Sequence, residues 1–207
     1  MTSLACVPEW VPTPSPLPAA LARCGDKRTR ELVGQLQAAD ATLVAHGAGV
    51  AQLAVALGWR LGLGGARLVT LCRAALLHDI GKRYVPREVL GKPGPLLTHE
   101  RQLVEAHPVV GATMLLQAGL PAEAAIVRNH HERWDGTGYP DRLRADAIPL
   151  ESRIILVADT FDAMTSDRPY RAALPRATVL VEMERVAGSQ LDPSAAALVR
   201  EAVAAQT

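Results

Sequence analysis

Histidine and aspartate side chains recur along this sequence in an order that could bind metal ions. All six histidines lie between positions 46 and 131, and five of them form an ordered series in which one is followed directly by an aspartate and two are adjacent. The candidate metal ligands are His46, His78, Asp79, His107, His130, His131 and Asp159. Imidazole nitrogens and carboxylate oxygens are common ligands of divalent transition metals. Seven such groups could surround two ions, so the pattern predicts a two-metal site of the phosphoesterase type.

The pair His78-Asp79 indicates how two ions would be joined. A carboxylate has two oxygens and can bridge neighbouring ions, whereas the single free nitrogen of an imidazole cannot. Two divalent ions about 3.5–4 Å apart would neutralise the charge of a phosphodiester and convert a bridging water into hydroxide at neutral pH. Nitrogen and oxygen ligands without a thiolate suit iron or manganese and also permit zinc. Each histidine alone is more often an ordinary core or surface residue, so the prediction depends on the whole set.

Helical periodicity predicts that separate helices carry these residues. Apolar residues recur at three- and four-residue steps over about 40–61, which places His46 on a helix. Further helices are expected over about 66–80, 98–116, 121–133, 150–166, 175–187 and 193–205. On this interpretation the pairs at 78–79 and 130–131 lie in the last turns of their helices. No alternation typical of a strand is found.

The composition favours a single all-α domain. The chain has 207 residues, of which 49% are apolar but only 3% aromatic, so its core must be aliphatic and is expected to be helical. Residues 7–18 contain five of the 15 prolines. We therefore expect residues 1–25 to form an extended or disordered leader, followed by a catalytic domain over 26–207. Pro108 is expected to kink its helix beside His107.

The charge and the cysteines indicate no affinity for nucleic acid or membranes and no disulfide. The net charge is +1, which gives no long-range attraction to nucleic acid or to an anionic membrane. No apolar run is expected to reach the roughly 18 residues of a membrane helix, and the first residues do not resemble a secretory signal. The three cysteines lack metal-binding or redox spacing. These features predict a cytoplasmic protein with reduced thiols.

The segment DGTGYP at 135–140 is typical of a tight turn. Its glycines allow the backbone to approach a ligand closely. Tyr139 could stack on a base or bond to phosphate, as aromatic residues do in nucleotide sites. It could equally hold the loop in place, and the sequence does not choose between these roles.

Four motifs in order resemble the HD-GYP subgroup of the HD-domain metal-dependent phosphohydrolases. They are HDIGK at 78–82, HPVVG at 107–111, HHERWDGTGYP at 130–140 and ADTFDAMTSDRPYR at 158–171. The resemblance extends from about His46 to residue 199. It implies a single HD-type helical bundle domain. It also implies hydrolysis of cyclic di-GMP, a bacterial second messenger, to linear pGpG or onward to GMP.

The resemblance implies a role for each matching residue. One metal ion would be held by His46, His78, Asp79 and Asp159, and Asp79 would bridge to a second ion held by His107, His130 and His131. Substrate contacts would come from Lys82, Gly136, Gly138, Tyr139, Arg168 and Arg171. The candidate catalytic residues are thus Asp79 and Lys82, the latter through the substrate phosphate. Asp162, three residues after Asp159, is expected to support the site or the fold rather than to bind metal.

The sequence departs from the subgroup at two points. Some members bind a third metal through a glutamate one turn before the first histidine, and Thr42 occupies that position here. We therefore expect two metal ions and a less efficient second step to GMP. Members usually carry a sensory or receiver domain, whereas about 40 residues precede His46. The chain is expected to be a stand-alone enzyme that other signalling proteins regulate in trans, or a fragment.

Two alternatives to a cyclic di-GMP phosphodiesterase are compatible with the sequence. One is a module of the same fold with weak catalysis, which acts by binding a cyclic dinucleotide or partner proteins. The other is an enzyme for a related substrate, such as hybrid cyclic GMP-AMP or a mononucleotide phosphate. Lys82 could also be a surface lysine at a helix end, and Arg168 and Arg171 solvated loop residues. A homodimer is compatible with every one of these hypotheses.

Overall fold

Helices make up the described part of this computed structural model, which covers residues 26–167 and 172–204. The α-helices are α1 (Lys27–Ala39), α2 (Ala41–Arg60), α3 (Gly65–Leu77), α4 (Arg87–Leu90), α5 (Thr98–Glu105), α6 (His107–Gln117), α7 (Pro121–Arg128), α8 (Leu150–Thr165), α9 (Arg176–Val186), α10 (Pro193–Ala197) and α11 (Val199–Ala204). Two 3-10 helices span Ile80–Tyr84 and Ala145–Ala147. Within the described ranges one isolated bridge joins Ala187 to Leu191, and there is no strand. The predicted all-α class is confirmed.

Helix α2 lies at the centre of the bundle and packs against α1, α3 and α8. Its apolar residues face in several directions, and Val50, Ala54 and Leu57 are fully buried. A helix that is apolar on most of its circumference is stable only inside a core. A second layer is formed by α6, α7 and the 3-10 helix Ile80–Tyr84, and α7 joins it to α3. The candidate ligand His46 is therefore carried by the central helix.

Close backbone contact between helices depends on glycine at two places. A Cβ atom at Gly47 of α2 would lie 2.7 Å from the carbonyl oxygen of Leu76 in α3. A Cβ atom at Gly81 would overlap the carbonyl oxygen of His107, so the 3-10 helix rests directly on the start of α6. Gly47 follows His46 and contacts Leu76, which is two residues before His78. Gly81 is two residues after Asp79 and contacts His107. Both contacts therefore bring candidate ligands from different elements close together. The glycines thus fix the distances on which the site depends.

Helix α2 is also, among the described residues, a helix long and apolar enough to span a membrane by length and composition. This corrects the expectation that no apolar run reaches that length. Polar residues interrupt the run, but the helix contains no aspartate, glutamate, lysine or arginine before Arg60. Of its most apolar stretch, 56% is buried inside the protein. Its packing against three other helices accounts for its apolar character, because a core helix meets the same criterion.

Each of the seven predicted helices has a counterpart in the structure, but two of them are divided and several ends differ. The expected helix over 98–116 is two helices, which meet at Ala106. Pro108 is the reason, because it has no N–H to donate and is tolerated in the first turn of a helix but not in its interior. Helix α5 begins at Thr98, and Glu100 accepts a hydrogen bond from the N–H of Leu97. The last expected helix is likewise divided at Leu198.

Two further corrections concern the candidate ligands. Helix α3 ends at Leu77 and α7 ends at Arg128, several residues earlier than the periodicity indicated. The pairs at 78–79 and 130–131 therefore follow their helices instead of lying in the last turn.

The leader predicted over residues 1–25 lies outside the described residues, and so do Arg168 and Arg171.

Replacing Gly81 with alanine should destabilise the fold. The added methyl group would overlap backbone atoms of α6, which cannot move aside as a flexible side chain can. We expect a loss of roughly 1–3 kcal/mol in the free energy of unfolding, measured by chemical denaturation. Gly34→Ala in α1 is the matched control, because an added Cβ there meets nothing within 4 Å. That variant should gain about 0.5–1 kcal/mol from helix propensity. A Gly81→Ala protein as stable as the parent would contradict the close packing.

Candidate metal centre

The predicted ligands come from five parts of the fold and converge in its interior. His46 is on α2, His78 and Asp79 follow α3, His107 begins α6, His130 and His131 follow α7, and Asp159 is on α8. His78, Asp79, His107 and His130 are almost completely buried. Neighbouring imidazole rings in the set have centroids 4.1–5.2 Å apart. The structure thus brings together residues that are up to 113 positions apart in the sequence.

The side chains form two groups that could each hold a metal ion, and Asp79 belongs to both. The first group is His46, His78 and Asp79, and the second is Asp79, His107, His130 and His131. The two oxygens of Asp79 face different groups. Oδ1 lies 3.2 Å from Nε2 of His107, whereas Oδ2 lies 3.4 Å from Nε2 of His78. A carboxylate with one oxygen directed to each group has the geometry of a bridging ligand.

Three of the histidines are oriented in the same way by the helices that precede them. Each donates its Nδ1–H to the carbonyl oxygen three residues earlier: His78 to Ala75, His107 to Val104 and His130 to Val127, at 2.6–2.8 Å. The last carbonyls of a helix have no partner within the helix, so a residue just beyond the end can satisfy them. The position of these histidines after a helix end therefore fixes their rings and leaves Nε2 free.

The free nitrogen atoms indicate that the cluster fits a cation. Nε2 of His107 and Nε2 of His130 are 3.3 Å apart, and a neutral imidazole that donates from Nδ1 carries no proton on Nε2. The two lone pairs therefore face each other without a proton between them. Among the described residues, nothing forms a hydrogen bond with Nε2 of His78 or Oδ1 of Asp79, although both atoms are buried. Buried polar atoms normally have partners, and divalent ions would supply them here.

Protonation also favours metal binding by these histidines. Burial lowers the pKa of His78 and lowers that of His130 well below its usual range. Burial and the neighbouring imidazole of His107 lower the pKa of His131 to about 3. Burial opposes ionisation of Asp79, but the interactions with His78 and Lys82 outweigh it and hold its pKa well below the ordinary value. The groups are thus neutral imidazoles around a carboxylate, the forms that bind metals.

His46 is held between two carboxylates of α8. Nε2 lies 3.0 Å from Oδ1 of Asp159, and Nδ1 lies 2.6 Å from Oδ2 of Asp162. Burial alone would lower the pKa of His46, but the hydrogen bonds with both carboxylates outweigh burial and raise it to about 9. A divalent ion bound to Nε2 would take the place of the proton that Asp159 now shares. Asp159 therefore lies beside the first group, on the side where it could complete that group.

The segment at 135–140 lies against His131. The ring of Tyr139 stacks on the ring of His131, with centroids 4.9 Å apart and planes inclined by 30°. A Cβ atom at Gly138 would overlap the backbone of residues 131–133. Burial and nearby carboxylates, Glu105 first among them, raise the pKa of Tyr139, so its phenol stays protonated. The stacked ring supports a role for Tyr139 in holding the loop and the adjacent histidine, and its contact with a substrate stays a prediction.

Other contacts stabilise this loop away from the cluster. The buried carboxylate of Glu132 accepts hydrogen bonds from the N–H groups of Asp141 and Leu143. Gly136 has φ +79°, a left-handed conformation that glycine adopts without strain. Asp135 accepts hydrogen bonds from the N–H and hydroxyl of Thr137. Gly136 thus shapes the turn.

A cavity of about 1200 Å³ opens beside the cluster. Four of the candidate ligands line it: His46, Asp79, His131 and Asp159. Lys82, Arg87 and Lys92 are cations in the same wall. The ammonium of Lys82 donates to Oδ2 of Asp79 at 2.7 Å, whereas Lys92 is paired with Glu100. Lys82 is therefore placed between the shared carboxylate and the open cavity, where an anionic ligand could reach it.

Some residues of the site were not identified from the sequence. Gly49 and Glu132 contact parts of the site but lie outside the metal-ligand pattern. Glu132 directly follows the histidine pair, and a carboxylate so close to a glycine-rich turn could have indicated a loop-holding role. No sequence signal identifies Gly49, because its partner is on a distant helix.

Comparison with known proteins shows the family. The family model described as HD domain matches residues 27–195, and the chain belongs to the HD domain family. The resemblance to the HD-GYP subgroup is confirmed. A solved structure titled as an HDG"Y"P protein, Bd1817 from Bdellovibrio bacteriovorus, superposes with a TM-score of 0.67 over 91% of this chain and 64% of that chain, at 20% identity. This likeness supports the HD-type helical fold.

Two relatives of higher identity are named for an enzymatic activity. The cyclic di-GMP phosphodiesterase response regulator RpfG of Xanthomonas campestris pv. campestris is 42% identical over 141 residues, which are 65% of this chain and 36% of that protein. The 3′3′-cGAMP-specific phosphodiesterase 3 of Vibrio cholerae is 41% identical over 145 residues, 70% of this chain and 32% of that protein. The chain thus matches about a third of the length of each relative.

The buried histidines should make the metal-free protein less stable as the pH falls from 6.5 to 5. Unfolded histidines take up a proton in this range, whereas a folded histidine with a lowered pKa does not. Each such group therefore favours the unfolded state below pH 6.5. For His131, with a pKa of about 3, the loss over this interval is roughly 2 kcal/mol. Asp79 and Asp159 do not contribute, because a lowered carboxyl pKa changes stability only when the pH falls below the ordinary pKa of aspartate, which is outside this interval.

Urea denaturation of chelator-treated protein at pH 7, 6 and 5 measures this dependence. His46 acts in the opposite direction, since its raised pKa adds stability that is lost only as the pH rises toward 9. The variant His131→Gln lacks one titrating group and should lose less stability on acidification than the parent. Equal stability at pH 7 and pH 5 in the parent would show that the histidines are not buried as neutral groups.

Proposed function

We propose that this protein is a metal-dependent phosphodiesterase that hydrolyses a cyclic dinucleotide, with cyclic di-GMP as the first candidate substrate. The observation that carries the proposal is the pair of ligand groups that share the buried carboxylate of Asp79. Two ions joined by a carboxylate are suited to phosphodiester hydrolysis, because together they neutralise the phosphate and activate a water molecule. The adjacent cavity, with Lys82 in its wall, gives an anionic substrate access to the same point.

The names of the relatives support the substrate class. The match to RpfG, named as a cyclic di-GMP phosphodiesterase, favours cyclic di-GMP. A relative of nearly equal identity is named as specific for 3′3′-cGAMP, so the hybrid dinucleotide is the second candidate. Both molecules contain the same kind of phosphodiester bond. We propose cyclic di-GMP first because several of the matching relatives carry that name.

In this proposal each ligand group holds one divalent ion. The first would be bound by His46, His78, Asp79 and Asp159, and the second by Asp79, His107, His130 and His131. Imidazole and carboxylate ligands suit iron or manganese, with zinc as a further candidate. Lys82 would hold a phosphate oxygen at the edge of the cluster. Tyr139 would keep His131 in place through its stacked ring.

The position of Thr42 supports a two-metal rather than a three-metal site. Its hydroxyl donates to Oδ1 of Asp40 at 2.6 Å, as part of the N-terminal cap of α2. It therefore takes part in capping and offers no carboxylate to a third ion. We propose that pGpG is the main product and that the second hydrolysis to GMP is slower.

The cellular location, the regulation and the oligomeric state of the protein remain predictions from the sequence. The sequence predicts a cytoplasmic location, and it is compatible with regulation in trans by other signalling proteins and with a homodimer. The alternative of a binding module with weak catalysis is less well supported, because all seven candidate ligands are present and converge.

Substrate turnover tests the proposal directly. Protein loaded anaerobically with Fe(II) or Mn(II) is incubated separately with cyclic di-GMP and 3′3′-cGAMP, and the linear products are followed by chromatography over time. Asp79→Ala is the matched variant, since it removes the bridge between the two groups. We expect pGpG to form with the parent, and the variant to lose at least about 100-fold in rate and most of its bound metal. A metal-loaded parent that cleaves neither dinucleotide would refute the proposed activity.

Arg171→Ala tests the predicted contact of this arginine with a phosphate group of the substrate. A guanidinium can hold phosphate through two hydrogen bonds, so its loss should raise KM by roughly 10-fold while leaving metal content unchanged. Arg176→Ala, at the start of α9, is the control for loss of a nearby positive charge. An unchanged KM in Arg171→Ala would mean that this arginine faces solvent.

A further inference from the structure

Asp162 lies behind His46, on the opposite side of its ring from the proposed metal site. Oδ2 of Asp162 is 2.6 Å from Nδ1 of His46. The other ring nitrogen, Nε2, faces Asp159 at 3.0 Å and Asp79 at 3.9 Å. The two nitrogens of an imidazole point in different directions, so a group bonded to Nδ1 does not reach an ion bound at Nε2. Asp162 is therefore placed to orient the histidine rather than to bind the same ion.

Gly49 provides the space that the carboxylate of Asp162 occupies. Gly49 is three residues after His46 on α2, and therefore on the same face of that helix. A Cβ atom at position 49 would overlap Oδ1 of Asp162 and lie 3.2 Å from its Cγ. One oxygen of Asp162 thus bonds to His46 while the other lies against the backbone at Gly49. A side chain at position 49 would push the carboxylate away from the imidazole.

We propose that Asp162 is a positioning residue for His46, and that Gly49 is required because it leaves room for the Asp162 carboxylate. The inference rests on the metal centre proposed above and adds the pair of residues that supports its first group. His78, His107 and His130 are oriented by carbonyl oxygens at the ends of the preceding helices. His46 lies inside a helix rather than after a helix end, and its Nδ1 is bonded to Asp162 of α8 instead of to a terminal carbonyl.

A carboxylate in this position has a consequence that a carbonyl lacks. A charged acceptor on Nδ1–H fixes the ring and makes Nε2 a stronger metal ligand. Ser166, the residue after α8, also approaches Oδ2 of Asp162, at 3.5 Å. The i, i+3 spacing of Asp159 and Asp162 puts both on the face of α8 that meets α2. One turn of α8 thus supplies a candidate ligand and the group that orients a second ligand.

The affinity for metal ions measures this role. Chelator-treated parent protein and the variants Asp162→Asn, Asp162→Ala and Gly49→Ala are titrated with Mn(II), and the ions bound per chain are counted at each concentration. We expect Asp162→Ala to lower the affinity for one of the two ions by roughly 10- to 100-fold and to leave the affinity for the other unchanged. Asp162→Asn should lose less, because its amide oxygen can accept the same Nδ1–H bond. Asp146→Asn, whose side chain is 87% exposed, is the control for loss of a carboxylate and should bind as the parent does.

Combining the two substitutions distinguishes positioning from a general effect on folding. Gly49→Ala should lower the affinity for the same ion that Asp162→Ala affects. In the double variant Gly49→Ala/Asp162→Ala the methyl group has room, so it should cause no further loss beyond that of Asp162→Ala. The unfolding temperature of each metal-free variant is measured in parallel, and affinity losses without a matching loss of stability support the positioning role.

Two results would overturn the inference, and a third concerns the metal centre itself. Asp162→Ala and Asp162→Asn proteins that bind both ions as tightly as the parent would show that the carboxylate is not needed. Losses that add up in the double variant would show that Gly49 acts independently of Asp162. A parent protein that binds no divalent ion would refute the proposed metal centre, an outcome distinct from either of these.

Discussion

The structure depends on the burial of one carboxylate among imidazoles whose free nitrogens point at one another. Asp79 and Nε2 of His78, His107 and His130 share a space from which water is largely excluded. Buried lone pairs that face one another destabilise a fold unless a cation lies between them. The protein keeps this arrangement because helix-end carbonyls hold three of the rings in place. Metal ions bound at the proposed centre would offset the cost of the cluster and would couple the site to the stability of the domain.

Helix ends and glycines together determine the size of the site. Helices α3, α5 and α7 each stop where a histidine can satisfy a terminal carbonyl, and this places the ring just beyond the helix axis. Gly47 and Gly81 allow backbones to approach so closely that ligands from different elements come within reach of one ion. Larger residues at either position would separate the helices. The spacing of the groups is thus set by backbone contacts and not by the ligands themselves.

Much of this could be predicted from the sequence, but by signals of different kinds. The ligands were identified because histidine and aspartate occur in motifs, and the helices because apolar residues repeat with helical spacing. The helix ends were placed too late because Ile80 continues the apolar pattern past Leu77, and because no glycine or proline follows Arg128 closely enough to mark the end of α7. The overlap between Gly49 and Asp162 could not be predicted, because contacts between distant helices leave no periodic signal in one sequence.

The site also explains how one fold can serve substrates that differ only in their bases. The ligand groups and Lys82 would contact phosphate, which cyclic di-GMP and the hybrid dinucleotide have in common. Guanine and adenine differ in the hydrogen-bonding groups of their edges, at atoms remote from the phosphorus. Discrimination between them must therefore arise from the cavity wall beyond the cluster, where the end of α1, the start of α2 and the region after α8 meet. In the proposed site, phosphate binding and base selection would thus be carried by separate residues.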